Sequence, residues 1–202
     1  MRGNRKQIID LNVHCLFFPF KCLLKIEKKY KPYYDNQSPW SITTPSTIKN
    51  SIKSPFTFFA ADGNWSNNTS PELWNKNNTL MTVNNGSFLK TIFDPSPSNY
   101  AVPKSAAFTG FDHPSGNVAG SWQYGFYFYT LGWQTGPTHF IPAIGDRFFG
   151  GNIQEHNEYI NYWTAGPVNN SQAYDLNVRH NFINSALVLN KAYAFCIWAC
   201  KL

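Results

Sequence analysis

The sequence predicts a strand-dominated α+β domain with one or two short helices, and three observations carry that expectation. The chain of 202 residues is 43% hydrophobic and 17% aromatic but only 14% charged, a balance that supplies a core and suits strands. Its apolar words are short and lie between turn clusters such as "DGNWSNN" and "NNG". Helical periodicity and caps are thin.

From Asp35 to about Thr91, Asn, Ser, Thr and Pro surround "PFTFFA" and "NNGSFLKTIF", the texture of short strands joined by surface loops. "SPELWNK" predicts a turn or two of helix with Ser70 as N-cap, and "SAAFTGF" a second start at Ser105. "WQYGFYFYTL" places Trp122, Tyr124, Phe126 and Phe128 on one face and Tyr127, Tyr129 and Leu131 on the other, so a central strand covered on both sides is expected. In "AYDLNVR", Tyr174, Leu176 and Val178 point inward and Asp175, Asn177 and Arg179 toward water. "AYAFCIWAC" predicts a last strand that pairs with an early one.

The net charge of +6 belongs to the leading block, where residues 1–34 hold eight basic residues against Asp10 and Glu27. Residues 35–202 balance, so no basic face for nucleic acid is expected there. "MRGNRKQIIDLNVHCLFFPFKCLLKI" is interrupted by Asp10, His14 and Lys21 and lacks a small-x-small cleavage site. It also falls short of the ~20 apolar residues of a membrane span. Residues 1–34 therefore read either as an extension foreign to the domain or as a degenerate export signal, with the domain itself over 35–202.

The search for chemistry finds no constellation. His14, His113, His139, His156 and His180 show no zinc-ligand spacing, and Glu155-His156 lacks a second His one turn on. There is no Gly-x-Ser-x-Gly elbow, and "FFGGN" lacks a phosphate-loop context. Glu155 and Glu158 are the close acidic pair, in an Asn-rich loop that leaves both solvated. Cys196 and Cys200 in an extended strand stand roughly 13 Å apart at about 3.3 Å per residue, too far for a disulfide. They and Cys15 and Cys22 read as free thiols. No catalytic residue, metal ligand or cofactor is predicted.

Recognition is the better-supported role. Between Arg147 and Asn190 the loop positions are dominated by aromatics, Asn, His and Ser, which combine contact area with adaptable hydrogen bonding. The candidate ligand-binding residues are Phe148, Phe149, Asn152, His156, Asn157, Tyr159 and Asn161 in the loop at 148–161, and Arg179, His180, Asn181 and Phe182 in that at 179–185. Trp163 reads as core.

The words "IFDPSPSNYAVPKSAAFTGF", "FIPAIGDR", "NYWTAGP", "QAYDLNV" and "NKAYAFCIW" occur in a familiar order and spacing. Over residues 40–202 the chain resembles the C-type-lectin-like C-terminal domain of fimbrillin-family and major-paralogous-domain surface proteins of Bacteroides-type bacteria. Some relatives of that fold are the variable proteins of diversity-generating retroelements. The resemblance implies a C-type-lectin-like α+β domain at the cell surface, in the outer membrane or secreted. It implies an adhesin or pilus-tip role without enzymatic activity, a protein or glycan ligand held by late loops, and pilus or fimbrial subunits as further partners. Carried over residue by residue, Pro142, Gly145 and Arg147 brace the loop region, Trp163 is core, and Tyr174, Leu176, Ala192 and Phe195 are core strand positions.

The departures from that family are specific. Lys191 and Trp198 stand where arginines are usual, Ala199 where the last strand has a cysteine, and Ser96 where an Asp-Pro-Cys-Pro word has another. The resemblance implies that those two cysteines pair in relatives, so their joint loss predicts a looser junction at Ser96. Calcium-type sugar-binding words are absent. Two alternatives stay open: an enzyme of the related formylglycine-generating fold using Cys196 and Cys200, although its Gly-Gly-Ser-Trp pattern is missing, and a structural pilin-like subunit whose aromatics are all core.

Overall fold

The computed structural model describes residues 14–17, 20–23, 41–43, 46–54, 57–59, 64–67, 70–79, 87–108, 111, 117–129, 131 and 134–202, with side chains from residue 46 onward. The described chain is strand-dominated with one short α-helix, a mostly-β α+β arrangement. Strands β1 (His14–Phe17) and β2 (Phe20–Leu23) form an antiparallel pair. Strand β1 lies beside Cys196–Ile197 near the end of the chain, and the remaining expectations for residues 1–34 fall outside the described residues. Strand β3 (Ser41–Thr43) runs parallel to β4 (Thr57–Phe59), and helix α1 (Ile48–Lys53) connects them. Thr47 caps that helix, its hydroxyl accepting from the Asn50 amide at 3.2 Å.

Strand β5 (Tyr100–Ala101) leads into a 3₁₀ turn at Ser105–Phe108, where the sequence expects a helical start. Strands β6 (Val118–Ala119), β7 (Gly125–Tyr129) and β8 (Thr138–Pro142) form an antiparallel sheet with β7 in the middle. Next, β9 (Asp146–Arg147) pairs with β10 (Ile153–Gln154). The largest sheet is built from β11 (Ile160–Pro167), β12 (Gln172–Arg179) and β13 (Phe182–Asn190) in antiparallel succession. Strand β14 (Cys196–Ile197) joins its edge parallel to β11. Strand β15 (Cys200–Lys201) leaves that sheet to pair with β5, so the closing segment does meet an early strand, but in two pieces.

The period-two alternation of β11 and β12 gives this sheet two working faces. One carries Ile160, Tyr162, Leu176 and Val178 onto Phe108, Phe126, Phe128 and Ile141. The other carries Trp163, Ala165 and Ala173 onto Val102, Phe195 and Ile197. Arg147, from β9, donates to the Gly151 carbonyl at 2.6 Å and lies 5.9 Å from the Phe58 ring centroid, which ties the 148–152 loop to β4. Gly145 precedes it at φ +70°, and a Cβ there would meet the Gln154 carbonyl oxygen at 2.4 Å, so the turn requires glycine.

Several local expectations are corrected. Strand β7 is buried on one side only: Phe126 and Phe128 are 3% and 2% exposed, whereas Tyr127 is 38% exposed and Tyr129 half-buried. On that more open side Tyr127 meets Phe140 at 4.8 Å, so the two rings shelter each other across strands. "SPELWNK" forms turns and no helix. The Asn75 side chain accepts from the Asn77 and Leu89 amides at 3.1 and 2.8 Å, giving the backbone an alternative to a helical ladder. Cys196 is disulfide-bonded, with its other half outside the described side chains, so the four-thiol reading fails. Cys200 is free.

The junction at Ser96 is tied by polar contacts. The Asp94 carboxylate accepts from the Ser96 and Val102 amides at 2.8 and 3.0 Å. Lys90 donates to the carbonyls of Ser96, Pro97 and Tyr100 at 2.5, 2.9 and 2.6 Å. The looser turn expected from the missing cysteine is therefore replaced by a lysine clamp. Among the described residues no helix is long and apolar enough to cross a membrane.

Candidate functional site

Strands β12 and β13 are joined by the two-residue turn His180-Asn181, with Arg179 paired to Phe182. Ile160 pairs with Val178, which brings Tyr159, just ahead of β11, alongside the hairpin end. The Arg179 guanidinium lies 4.7 Å from the Tyr159 ring centroid and 5.1 Å from that of Phe182. Both distances are within cation–π range, and they hold a flexible side chain in one place. Arg179, His180, Asn181 and Phe182 are all exposed, Phe182 at 39%. Among the described residues no carboxylate forms a salt bridge with Arg179, so its charge faces solvent. Five of the eleven candidate residues thus come together, four of them exposed and Tyr159 half-buried, at the end of the longest described strands.

The others fall in different places. Phe148 and Phe149 stack at 3.9 Å and meet Tyr193 edge-on at 5.1 and 5.7 Å, a half-buried cluster with Asn152 exposed beside it. His156 and Asn157 are half-buried in the turn between β10 and β11, where Glu155 and Asn157 adopt φ of +58° and +65°. Burial holds the His156 imidazole below its ordinary pKa. Asn161 is placed among the exposed loop positions by the sequence but is 1% exposed. Its amide donates to Asp146 and Glu155 at 3.0 and 3.3 Å and accepts from Asn177 at 2.6 Å, because it is already a residue of β11 facing a covered side.

That covered side holds a polar ladder that the alternation of β12 concealed. Asp175 and Asn177, expected in water, are 0% and 3% exposed. Both Asp175 carboxylate oxygens, one oxygen of Asp146 and the Asn177 side-chain oxygen have no hydrogen-bond partner. Burial, then the neighbouring Glu155 carboxylate, pushes Asp146 up to about 8. Burial and, less strongly, Asp146 raise Asp175 well above the ordinary carboxylate range. Both shifts favour the protonated carboxyl. Among the described residues no three His, Cys, Asp or Glu side chains gather in a metal-holding set.

No family model, curated protein or solved structure matches the chain. A functional reading therefore rests on the geometry itself.

Sequence reasoning missed one concave feature. A small indentation is lined by Trp74 and Lys191 together with the buried Trp65 and Trp163. Trp65 comes from "DGNWSNN", read as a turn cluster, and Trp74 from "SPELWNK", read as a short helix. The available signal was a large apolar ring inside polar turn text, which must either lie exposed or find a surface to cover.

Proposed function

We propose that the chain is a non-enzymatic binding module of the C-type-lectin-like kind, displayed at the cell surface. It recognises a protein or glycan ligand through the hairpin end formed by Tyr159, Arg179, His180, Asn181 and Phe182. The observation that carries this reading is the exposed guanidinium held between two aromatic rings. Arginine and aromatic residues dominate binding energetics where they are pre-positioned, and strand ends position them better than a free loop. The unpaired positive charge favours a ligand that presents a carboxylate. An adhesin or pilus-tip role, with fimbrial subunits as assembly partners, follows from the family resemblance of the sequence.

The thiol-enzyme reading draws no support from the cysteines. Cys196 is disulfide-bonded and burial pushes the Cys200 thiol up, the opposite of an activated thiolate. A purely structural subunit calls for few exposed aromatics among Phe148, Phe149, Tyr159 and Phe182; Phe182 is exposed and the other three are half-buried. The full chain, applied to a broad array of glycans and bacterial and host surface proteins, is expected to give discrete hits enriched in acidic ligands. Silence across the array, or indiscriminate binding, would overturn the proposal.

A further inference from the structure

Beside the hairpin patch, one buried amide holds two carboxyls. The Asn161 side chain donates to Asp146 at 3.0 Å and to Glu155 at 3.3 Å, so the two acids share a single NH2 group and lie side by side. The Asn161 side-chain oxygen accepts from Asn177 at 2.6 Å, which fixes the way the amide faces them. Asp146 is 3% exposed, and one of its oxygens meets no donor. Two carboxylates placed like this repel, whereas one proton between them turns the repulsion into a hydrogen bond. Burial first, and Glu155 second, hold that proton on Asp146 up to about 8.

None of the groups acting on Asp146 is a cation. Asp175, from β12, is raised by burial and then by Asp146, and Tyr193, ahead of β14, by burial and then by Asp146 and Glu155. Arg147, next to Asp146 on β9, turns its guanidinium to the Gly151 carbonyl, and burial holds His156, next to Glu155, toward its neutral form. Glu155 is also the root of the turn that carries Tyr159. Its carbonyl accepts from the Glu158 and Tyr159 amides at 3.1 and 3.0 Å, and the Tyr159 carbonyl accepts from the Gly145 amide at 3.2 Å. Glu155 and Asn157 adopt left-handed backbone, sparsely populated by residues with a Cβ, so contacts and not backbone preference keep this turn in shape. A shift of Glu155 is therefore a shift of Tyr159, whose ring lies 4.7 Å from the Arg179 guanidinium.

We infer that Asp146 and Glu155 form a pH-operated latch on the recognition patch: sharing one proton they hold the 155–159 turn in place, and on losing it they part and draw Tyr159 away from Arg179. The proton goes from Asp146 to solvent, and no covalent bond changes. Because the folded protein holds this proton more tightly than an ordinary aspartate does, the latch is closed at acid and neutral pH and opens as pH climbs through 8. The inference rests on the hairpin end being the recognition surface, but its test needs no ligand.

The side-chain protons of Arg179, displaced by the ring currents of Tyr159 and Phe182, report the contact by NMR in the full, unaltered chain. They are expected to lose the Tyr159 share of that displacement as pH rises through 8, while the core amides of Phe126 and Phe128 stay in place. Among the aspartate carboxyl carbons, one that vanishes in Asp146→Asn is expected to titrate over the same interval. Asp146→Asn puts a neutral amide of the same shape beside Glu155 and is expected to leave the Arg179 resonances independent of pH. An Arg179 displacement unchanged through pH 8 in the unaltered protein would overturn the inference. So would the same pH profile in folded Asp146→Asn, or the lack of any such aspartate titrating above neutral pH. Silence on the ligand array would count against the hairpin reading and would leave these resonances as they are.

Discussion

Lys90→Met is expected to destabilise the protein by about 2–3 kcal/mol, below the usual cost of breaking a fully buried ion pair because the Lys90 side chain is 21% exposed. Lys90 reaches Asp94 at 3.3 Å, and the Asp94 side chain is fully buried. Without the ammonium, that carboxylate keeps only the Ser96 and Val102 amides, and the carbonyls of Ser96, Pro97 and Tyr100 lose their common donor. The consequences reach beyond the turn, because Tyr100–Ala101 is the strand on which the C-terminal Cys200–Lys201 is paired. In thermal unfolding, a loss of that size corresponds to a fall on the order of 10 °C for a chain this long. Adding Asp94→Asn should restore part of the loss, since it removes the stranded charge. A change below about 1 kcal/mol in Lys90→Met would show that the clamp does not hold the junction.

Asp175→Asn is expected to stabilise the protein at pH 8, against the usual direction of a core substitution. In the unfolded chain the carboxyl releases its proton near 3.8; in the folded chain it holds the proton to much higher pH. Folding therefore takes up a proton across that interval, and the stability of the unaltered protein falls as pH climbs from about 4 toward 8. Asp146, raised to about 8 beside Glu155, contributes in the same direction. An amide at position 175 has no charge to bury, and its N–H groups meet a neighbourhood of unpartnered acceptors on Asp146 and Asn177. A gain of about 1–3 kcal/mol at pH 8 is expected, shrinking toward zero below about pH 3, where the carboxyl is protonated in the folded and the unfolded chain alike. Melting curves of the two proteins should converge in acid and diverge above pH 6. An equal or lower melting temperature for Asp175→Asn at pH 8 would refute the assignment of a buried, unpaired carboxyl.

The same ladder shows where the fold was legible in the sequence and where it was not. The alternation in "AYDLNVR" correctly marked Leu176 and Val178 as core, because a two-residue period is a local property of the strand. It placed Asp175 and Asn177 in water because polar residues on a strand usually face it; the cover on that side comes from distant segments, including Val102, Phe195 and Ile197. No local window contains that information. The Arg179–Phe182 turn was readable as a recognition loop from its residue types, but the approach of Tyr159 depends on the register of β11 against β12. Asn161 shows the converse, since two residues beyond Tyr159 the chain is already inside the sheet. Trp65 was legible only as a turn residue and Trp74 only as part of a short helix, because the end of β11, which they lie against, is nearly a hundred positions away.

The central claim is that the hairpin end, and not the fold alone, makes the contact with a ligand. Its most direct test is the affinity of the strongest array ligand for the unaltered chain and for Tyr159→Ala, Arg179→Ala and Phe182→Ala, each checked for an unchanged melting temperature. Truncating the arginine is expected to cost at least tenfold in affinity, and each flanking ring a smaller factor, with the Tyr159 and Arg179 losses less than additive because one side chain positions the other. Undiminished binding by all three folded variants would contradict the account.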